Sequence, residues 1–188
     1  MAHLILASSS PRRHELLSQL GLSFDVYSPD IDESILDNED VASYVERLAC
    51  AKAEAVLARF PNAVVIAADT ALGVAGQILG KPESKEHAFA MWQMLSNRKH
   101  EVFSGVCVRT KQQISSIVVR TQVEFQTLTP QDMQEYWATG EPIGKAGGYA
   151  IQGIAARYIP SIQGSYSNVV GLPLHETVQL LTAFKVLN

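Results

Sequence analysis

Asp69, within Ala67-Ala68-Asp69-Thr70, is the acid around which a chemistry can first be built. It follows Ala63-Val64-Val65-Ile66, an apolar run of strand length. The acid is therefore expected where that strand leaves the core, and in open α/β sheets ligands collect outside the carboxyl ends of strands. A carboxylate fixed there can hold a metal ion or accept a proton; the ordinary alternative is an Asp that caps a turn. Cations are the second ingredient. In Ser8-Ser9-Ser10-Pro11-Arg12-Arg13, serine hydroxyls, free backbone N–H groups and two guanidinium groups combine into an anion cradle. Pro29-Asp30-Ile31-Asp32-Glu33 gathers carboxylates, one of which could share a hard divalent cation with phosphate oxygens. Lys52 either snorkels to water or reaches into a cleft. Lys81 sits between Gly80 and Pro82, which leaves its backbone little freedom and lets the ammonium be aimed. Tyr149 and Gln152 lie in a glycine-rich stretch where backbone can approach a ligand, and an amide can read a base edge.

The elements that position these groups follow from local pattern. Leu4 to Ala7 reads as a buried strand, then a helix with Ser10 as cap, Pro11 first, Leu16, Leu17 and Leu20 inward, and Gly21 as stop. Phe24 to Tyr27 alternates like a strand. A long helix from Asp40 to about Phe60 carries Val41, Val45, Leu48, Lys52 and Val56 on one stripe. Ala75-Gly76 turns the chain, and Ser84 caps a helix with Ala88, Met91, Trp92 and Leu95 inward. Val102–Arg109 and Ile114–Thr127 form a hairpin, Thr129-Pro130 opens a further helix, and the C-terminal helix turns Leu174, Val178, Leu181 and Phe184 inward. A hairpin beside strands joined through helices makes the sheet mixed.

Composition excludes several classes. The 188 residues suit one domain, and 47% hydrophobic content supplies a core. The formal charge of -4 and the absence of a basic block longer than a pair argue against nucleic acid. No apolar run reaches membrane-spanning length, and no leader is expected at the start, which points to the cytoplasm. Cys50 and Cys107 lack metal-type spacing and read as buried thiols of a reducing compartment. The five histidines show no zinc pairing, Gly80-Lys81-Pro82 is no P-loop, and no Ser-His-Asp arrangement stands out.

Taken in order, Leu6-Ala7-Ser8-Ser9-Ser10-Pro11-Arg12-Arg13, Ala68-Asp69-Thr70, Gly80-Lys81-Pro82, Lys145-Ala146-Gly147 through Gln152-Gly153, and Val170-Gly171-Leu172-Pro173-Leu174 resemble the Maf family of nucleoside triphosphate pyrophosphatases. The likeness covers nearly the whole chain. It implies a single Maf-like domain over 1–188 with a Maf/ITPase-like α/β fold, a mixed central sheet flanked by helices, two lobes around a cleft, and a homodimer. It implies hydrolysis between the α and β phosphorus atoms of a nucleoside triphosphate, with magnesium or manganese. Matched by position, Ser8, Arg12, Arg13, Lys52 and Lys81 are the phosphate-binding set, Glu33 and Asp69 the metal set, and Asp69 the proton acceptor. Arg12, Thr70 and Gln152 match the specificity set of the branch acting on dTTP and UTP, with modified pyrimidine nucleotides as further substrates. The rival readings are a sister-branch enzyme acting on 7-methyl-GTP and a nucleotide-binding regulator of cell division without catalysis. Ser9 stands where many relatives have Gly. Base and ligand roles for Asp69 pull its basicity in opposite directions; we favour the base, with ligation shared.

Overall fold

A computed structural model of the protein describes residues 3–187. The chain opens with β1 (Leu4–Leu6), fully buried, which leads through Ala7 to Ser10 into α1 (Pro11–Ser18) and then β2 (Asp25–Val26). The carboxylate of Asp40 accepts the Ser43 N–H and starts α2 (Val41–Arg59). β3 (Val64–Val74) and β4 (Gln77–Leu79) form a hairpin around Ala75 and Gly76, both at positive φ. Ser84 caps α3 (Lys85–Leu95). β5 (Arg98–Arg109) and β6 (Ile114–Phe125) make the long hairpin, and a capping box of Thr129 and Asp132 opens α4 (Pro130–Ala138). Two short 3-10 turns lead to β7 (Ser161–Gln163), α5 (Tyr166–Val170) and α6 (Leu174–Ala183).

The seven strands form one mixed sheet in the order β2-β1-β3-β5-β6-β7, with β4 also on β3. β1 runs parallel to β2 and β3, whereas β3, β5, β6 and β7 are antiparallel neighbours. Helices pack on both faces, giving the expected α/β class.

Asp69 does not mark the end of its strand. β3 continues to Val74 because Thr70 to Val74 stay extended and mostly buried, and β5 pairs along Val65 to Gly73. What ends is the neighbour. β5 occupies one edge of β3 throughout, so β1 and β4 must share the other. β1 pairs only with Val64 to Ile66 and β4 only with Leu72 to Val74. Ala67 to Ala71 are left as a notch in the sheet edge, with Asp69 at its centre.

The core is divided as well. One cluster packs Leu6, Leu17, Ile66, Val106, Leu172 and Leu181 between α1, α6 and the sheet. Another packs Leu72, Trp92, Leu95, Val123, Phe125 and Tyr136 with α3 and α4. The long strands run past both clusters, so two lobes share one continuous sheet. α2 lies against the sheet at Gly105, where a Cβ would collide with the Val45 carbonyl. α6 is rotated from its expected face: Thr177, Leu180 and Leu181 are buried, while Leu174, Val178 and Phe184 are only partly so.

Candidate active site

The notch opens into a cleft of about 260 Å³ whose walls include Ser8, Arg12, Arg13, Glu33, Lys52, Asp69, Thr70, Lys81 and Gln152. Every site residue expected from the sequence therefore meets in one place, although they span 145 positions of chain from Ser8 to Gln152.

At the floor, Lys52 joins two carboxylates. α2 carries it on a buried stripe, and its Nζ lies 2.6 Å from Asp69 Oδ1 and 2.7 Å from Glu33 Oε1. The alternative of snorkelling to water is not taken: Lys52 is 8% exposed and points into the cleft. Asp69 reaches it because Asp69 and Gly105 are opposite one another in the ladder and share the face on which α2 packs. Burial acts to raise the Glu33 pKa, but the hydrogen bond and charge of Lys52, aided by Lys81 and Arg13, outweigh it and leave Glu33 below its ordinary value. Lys52 occupies one oxygen of each acid. Glu33 Oε2 and Asp69 Oδ2 have no protein hydrogen-bond partner among the described residues.

These two acids fit a hard divalent cation held jointly with phosphate oxygens, since magnesium takes one or two carboxylates plus substrate oxygens. They do not make a protein cage. Among the described residues no group of three or more His, Cys, Asp or Glu could enclose a metal.

The walls are cationic. Ser10 stands at the N-cap of α1 without a side-chain cap bond, contrary to expectation, and its own N–H donates to the Ser8 hydroxyl. This brings Ser8 and the head of the helix to the cleft with Arg12 and Arg13 in the first turn. Arg13 is anchored through Nε to the Gly171 carbonyl (2.9 Å), Nη2 to Thr70 Oγ1 (3.1 Å) and Nη1 to Ser8 Oγ (3.4 Å). Burial lowers the pKa of both arginines, opposed at Arg12 by Glu15 and at Arg13 chiefly by Asp69. Lys81 and Arg12 have no carboxylate within ion-pair distance among the described residues.

The glycine-rich stretch is pinned. The Gly147 N–H donates to Gly80 O (2.9 Å), tying the Lys81 segment to the Lys145 segment, and Trp92 Nε1 donates to the carbonyls of Gly147 and Gly148. Gly147 has φ +66, and a Cβ there would collide with Leu72. Tyr149 is not available to a base through its hydroxyl, which meets buried His100 Nε2 at 2.7 Å. Gln152 is exposed and remains. Lys145, to which the sequence attached no role, also lines the cleft; burial and the nearby charge of Arg12 lower its pKa. Its clue was a lysine opening a run of small residues. Ser104 and Asn168, buried behind Thr70, carried no signal in sequence because tertiary pairing alone brings them there.

Residues 3–184 match the family described as Maf-like protein. A dTTP/UTP pyrophosphatase of Acinetobacter baylyi is 63% identical over 183 residues, covering 97% of this chain and all of the relative. One of Vibrio vulnificus is 48% identical over 185 residues, covering 98% of this chain and 100% of the relative. Among solved structures, the Ham1 protein of Staphylococcus aureus superposes with a TM-score of 0.53 at 15% identity, covering 97% of each chain. A HAM1 protein of Coxiella burnetii gives 0.52 at 12% identity and 99% of each chain. At such identities these two support the fold alone.

Proposed function

The chain belongs to the Maf-like protein family, and from that premise we propose that it hydrolyses nucleoside triphosphates, dTTP and UTP foremost, to the monophosphate and pyrophosphate. The names of its close relatives support this reading, as does one observation: Arg12, Arg13 and Lys81 line a cleft whose floor holds Asp69, Lys52 and Glu33. Polyphosphate needs cations around it, and its hydrolysis needs an activated water.

In this mechanism Arg12, Arg13 and Lys81 hold the phosphate tail, with Ser8 donating a hydroxyl to it. Lys52 holds Asp69 by Oδ1, so the carboxylate is fixed in rotation and Oδ2 is presented to a water in the cleft. Asp69 Oδ2 takes the proton of that water as it attacks the α-phosphorus, and pyrophosphate leaves with its charge held by the arginines and Lys81. Glu33 and Asp69 would hold magnesium or manganese, which would supply charge neutralisation on the phosphate oxygens. Arg12, Thr70 and Gln152 select the base, with dTTP, UTP and modified pyrimidine nucleotides as the substrates. We assign the protein to the cytoplasm, where such nucleotides are made and used.

The test is a panel of dTTP, UTP, GTP and 7-methyl-GTP scored for pyrophosphate with and without magnesium, on wild type and Asp69→Asn. We expect pyrimidine preference, and a loss of about 100-fold or more in kcat for a variant that folds normally. Near-normal turnover by Asp69→Asn would remove the acid from the reaction, and preference for the methylated purine would move the substrate. Nucleotide binding without pyrophosphate release would leave a regulator.

A further inference from the structure

Gln152 stands exposed on the cleft wall. Its side-chain amide has no hydrogen-bond partner in the protein among the described residues, so where it stands is decided by the backbone that carries it. An amide reads a base edge only when its donors and acceptor are held at one height and angle.

That backbone is held on both sides of Gln152. Following it, the Ile154 N–H donates to Glu141 Oε2 at 2.8 Å and the Ala155 N–H to Glu141 Oε1 at 3.2 Å. Gly153 lies between, and a Cβ there would collide with the Glu141 carboxylate, so the missing side chain lets the acid lie against the turn. Preceding Gln152, the Ala150 N–H donates to Tyr136 Oη at 3.2 Å, and the Gly153 N–H closes the turn onto the Ala150 carbonyl at 3.0 Å. The two supports are joined to each other, since Tyr136 Oη donates to Glu141 Oε1 at 2.6 Å.

Both supports are firm and neither touches the cleft. Tyr136, on α4, is 4% exposed, with its ring packed against Trp92 and Tyr158. Burial acts to raise the Glu141 pKa, but the bonds from Tyr136, Ile154 and Ala155 and the charge of Lys145 outweigh it and keep the acid below its ordinary value. Glu141 and Tyr136 form no part of the cleft wall, so any effect they have on a nucleotide passes through the turn. The arrangement needs a carboxylate. An ionised carboxylate only accepts, whereas an amide pairs one accepting oxygen with an NH2 that only donates. Whichever way the amide of Glu141→Gln is turned, one of the two backbone N–H groups loses its acceptor.

We propose that Glu141 is a positioning residue which, together with Tyr136, fixes the turn that presents the Gln152 amide, and so sharpens the choice of base without a share in holding the phosphates. The inference rests on the reading of Gln152 as a residue that selects the base.

A double-mutant cycle tests it. Wild type, Glu141→Gln, Tyr136→Phe, Gln152→Ala and Glu141→Gln/Gln152→Ala are assayed on dTTP and GTP, and each is titrated with inorganic tripolyphosphate. Glu141→Gln and Tyr136→Phe are expected to move the dTTP to GTP ratio of kcat/KM about 5-fold toward unity, the scale of one hydrogen bond. Their Kd for tripolyphosphate should stay at the wild-type value, which a general loosening of the fold would not allow. Tyr136→Phe removes no charge, so a shared change in the ratio is not an effect of the lost carboxylate charge. With Gln152 already replaced, Glu141→Gln changes the ratio no further. An unchanged ratio in both single variants, or the same change with and without Gln152, overturns the proposal. If Glu141→Gln fails to fold, Tyr136→Phe with and without Gln152→Ala decides alone. A wild type that does not discriminate, or a Gln152→Ala variant that keeps the wild-type ratio, overturns the reading of Gln152 and this inference with it. Should wild type discriminate yet release no pyrophosphate, the ratio is taken from the Kd values of the two nucleotides. A shift there that needs Gln152 upholds the positioning role although the reaction fails.

Discussion

Two side chains make the pH response legible residue by residue. Glu33 has its pKa below the ordinary 4.5 because Lys52, Lys81 and Arg13 outweigh its burial. Its contribution to stability is therefore present above about pH 4.5 and is lost as pH falls through the lower folded value. Glu33→Gln should flatten that acid limb in urea titrations below about pH 4.5. His100 behaves in the opposite sense for a base. Buried between Phe125 and Tyr149, it is pushed down by desolvation from 6.5 to about 4. Between those values the unfolded chain binds a proton that the folded protein refuses, so stability falls as pH drops from 6.5 to about 4. The loss is on the order of 3 kcal/mol in all. His100→Gln should remove it, seen as a difference in unfolding free energy between wild type and variant that falls by about that amount as pH drops from 6.5 to about 4. A difference independent of pH would mean that folded His100 takes up its proton as readily as the unfolded chain does.

Among the elements, the contact of α2 with β5 sets the spacing of Asp69 and Lys52. Gly105→Ala puts a methyl into the Val45 backbone, which cannot turn aside as a side chain can. We expect about 2 kcal/mol of lost stability and, because α2 carries Lys52, a drop in turnover larger than the lost fraction of folded protein. An unchanged urea midpoint would show that the helix gives way freely. The helix starts were readable from sequence: Ser84 caps as expected, and Asp40 and Thr129, expected to open their helices, serve as the caps. The full extent of β3 and β5 was not. The strand was expected to begin at Val102, yet the polar Arg98 to Glu101 pairs with Gln122 to Phe125. Ladder partners supplied by β6 override the local signal. β7 and α5 were hidden because each is too short to carry a period. At the site, residue types and motifs marked the cations and acids. Pattern alone could not tell that Lys52 is taken up by Glu33 and Asp69 while Lys81 has no such partner among the described residues.

At the scale of the molecule, two apolar clusters flank the cleft, and the charges of Arg12 and Lys145 on its lining disfavour each other. A polyanion between them should hold the lobes together. Inorganic tripolyphosphate at about 100 times its Kd is expected to stabilise the fold by about 2.7 kcal/mol, read as a rise in melting temperature that shrinks with added salt. Lys81→Ala should cut that rise while leaving the melting temperature of the free protein unchanged, because Lys81 is exposed and makes no ion pair among the described residues. A fall in the free protein's melting temperature with ligand response intact would make Lys81 structural. The notch in β3 has a further consequence. Its width is set by where β1 stops and β4 begins, and neither of those short strands contributes the acid. The aperture can thus be widened or narrowed by trimming or extending its two jambs, so evolution can refit the entrance for a bulkier guest while Asp69 keeps its seat opposite Gly105.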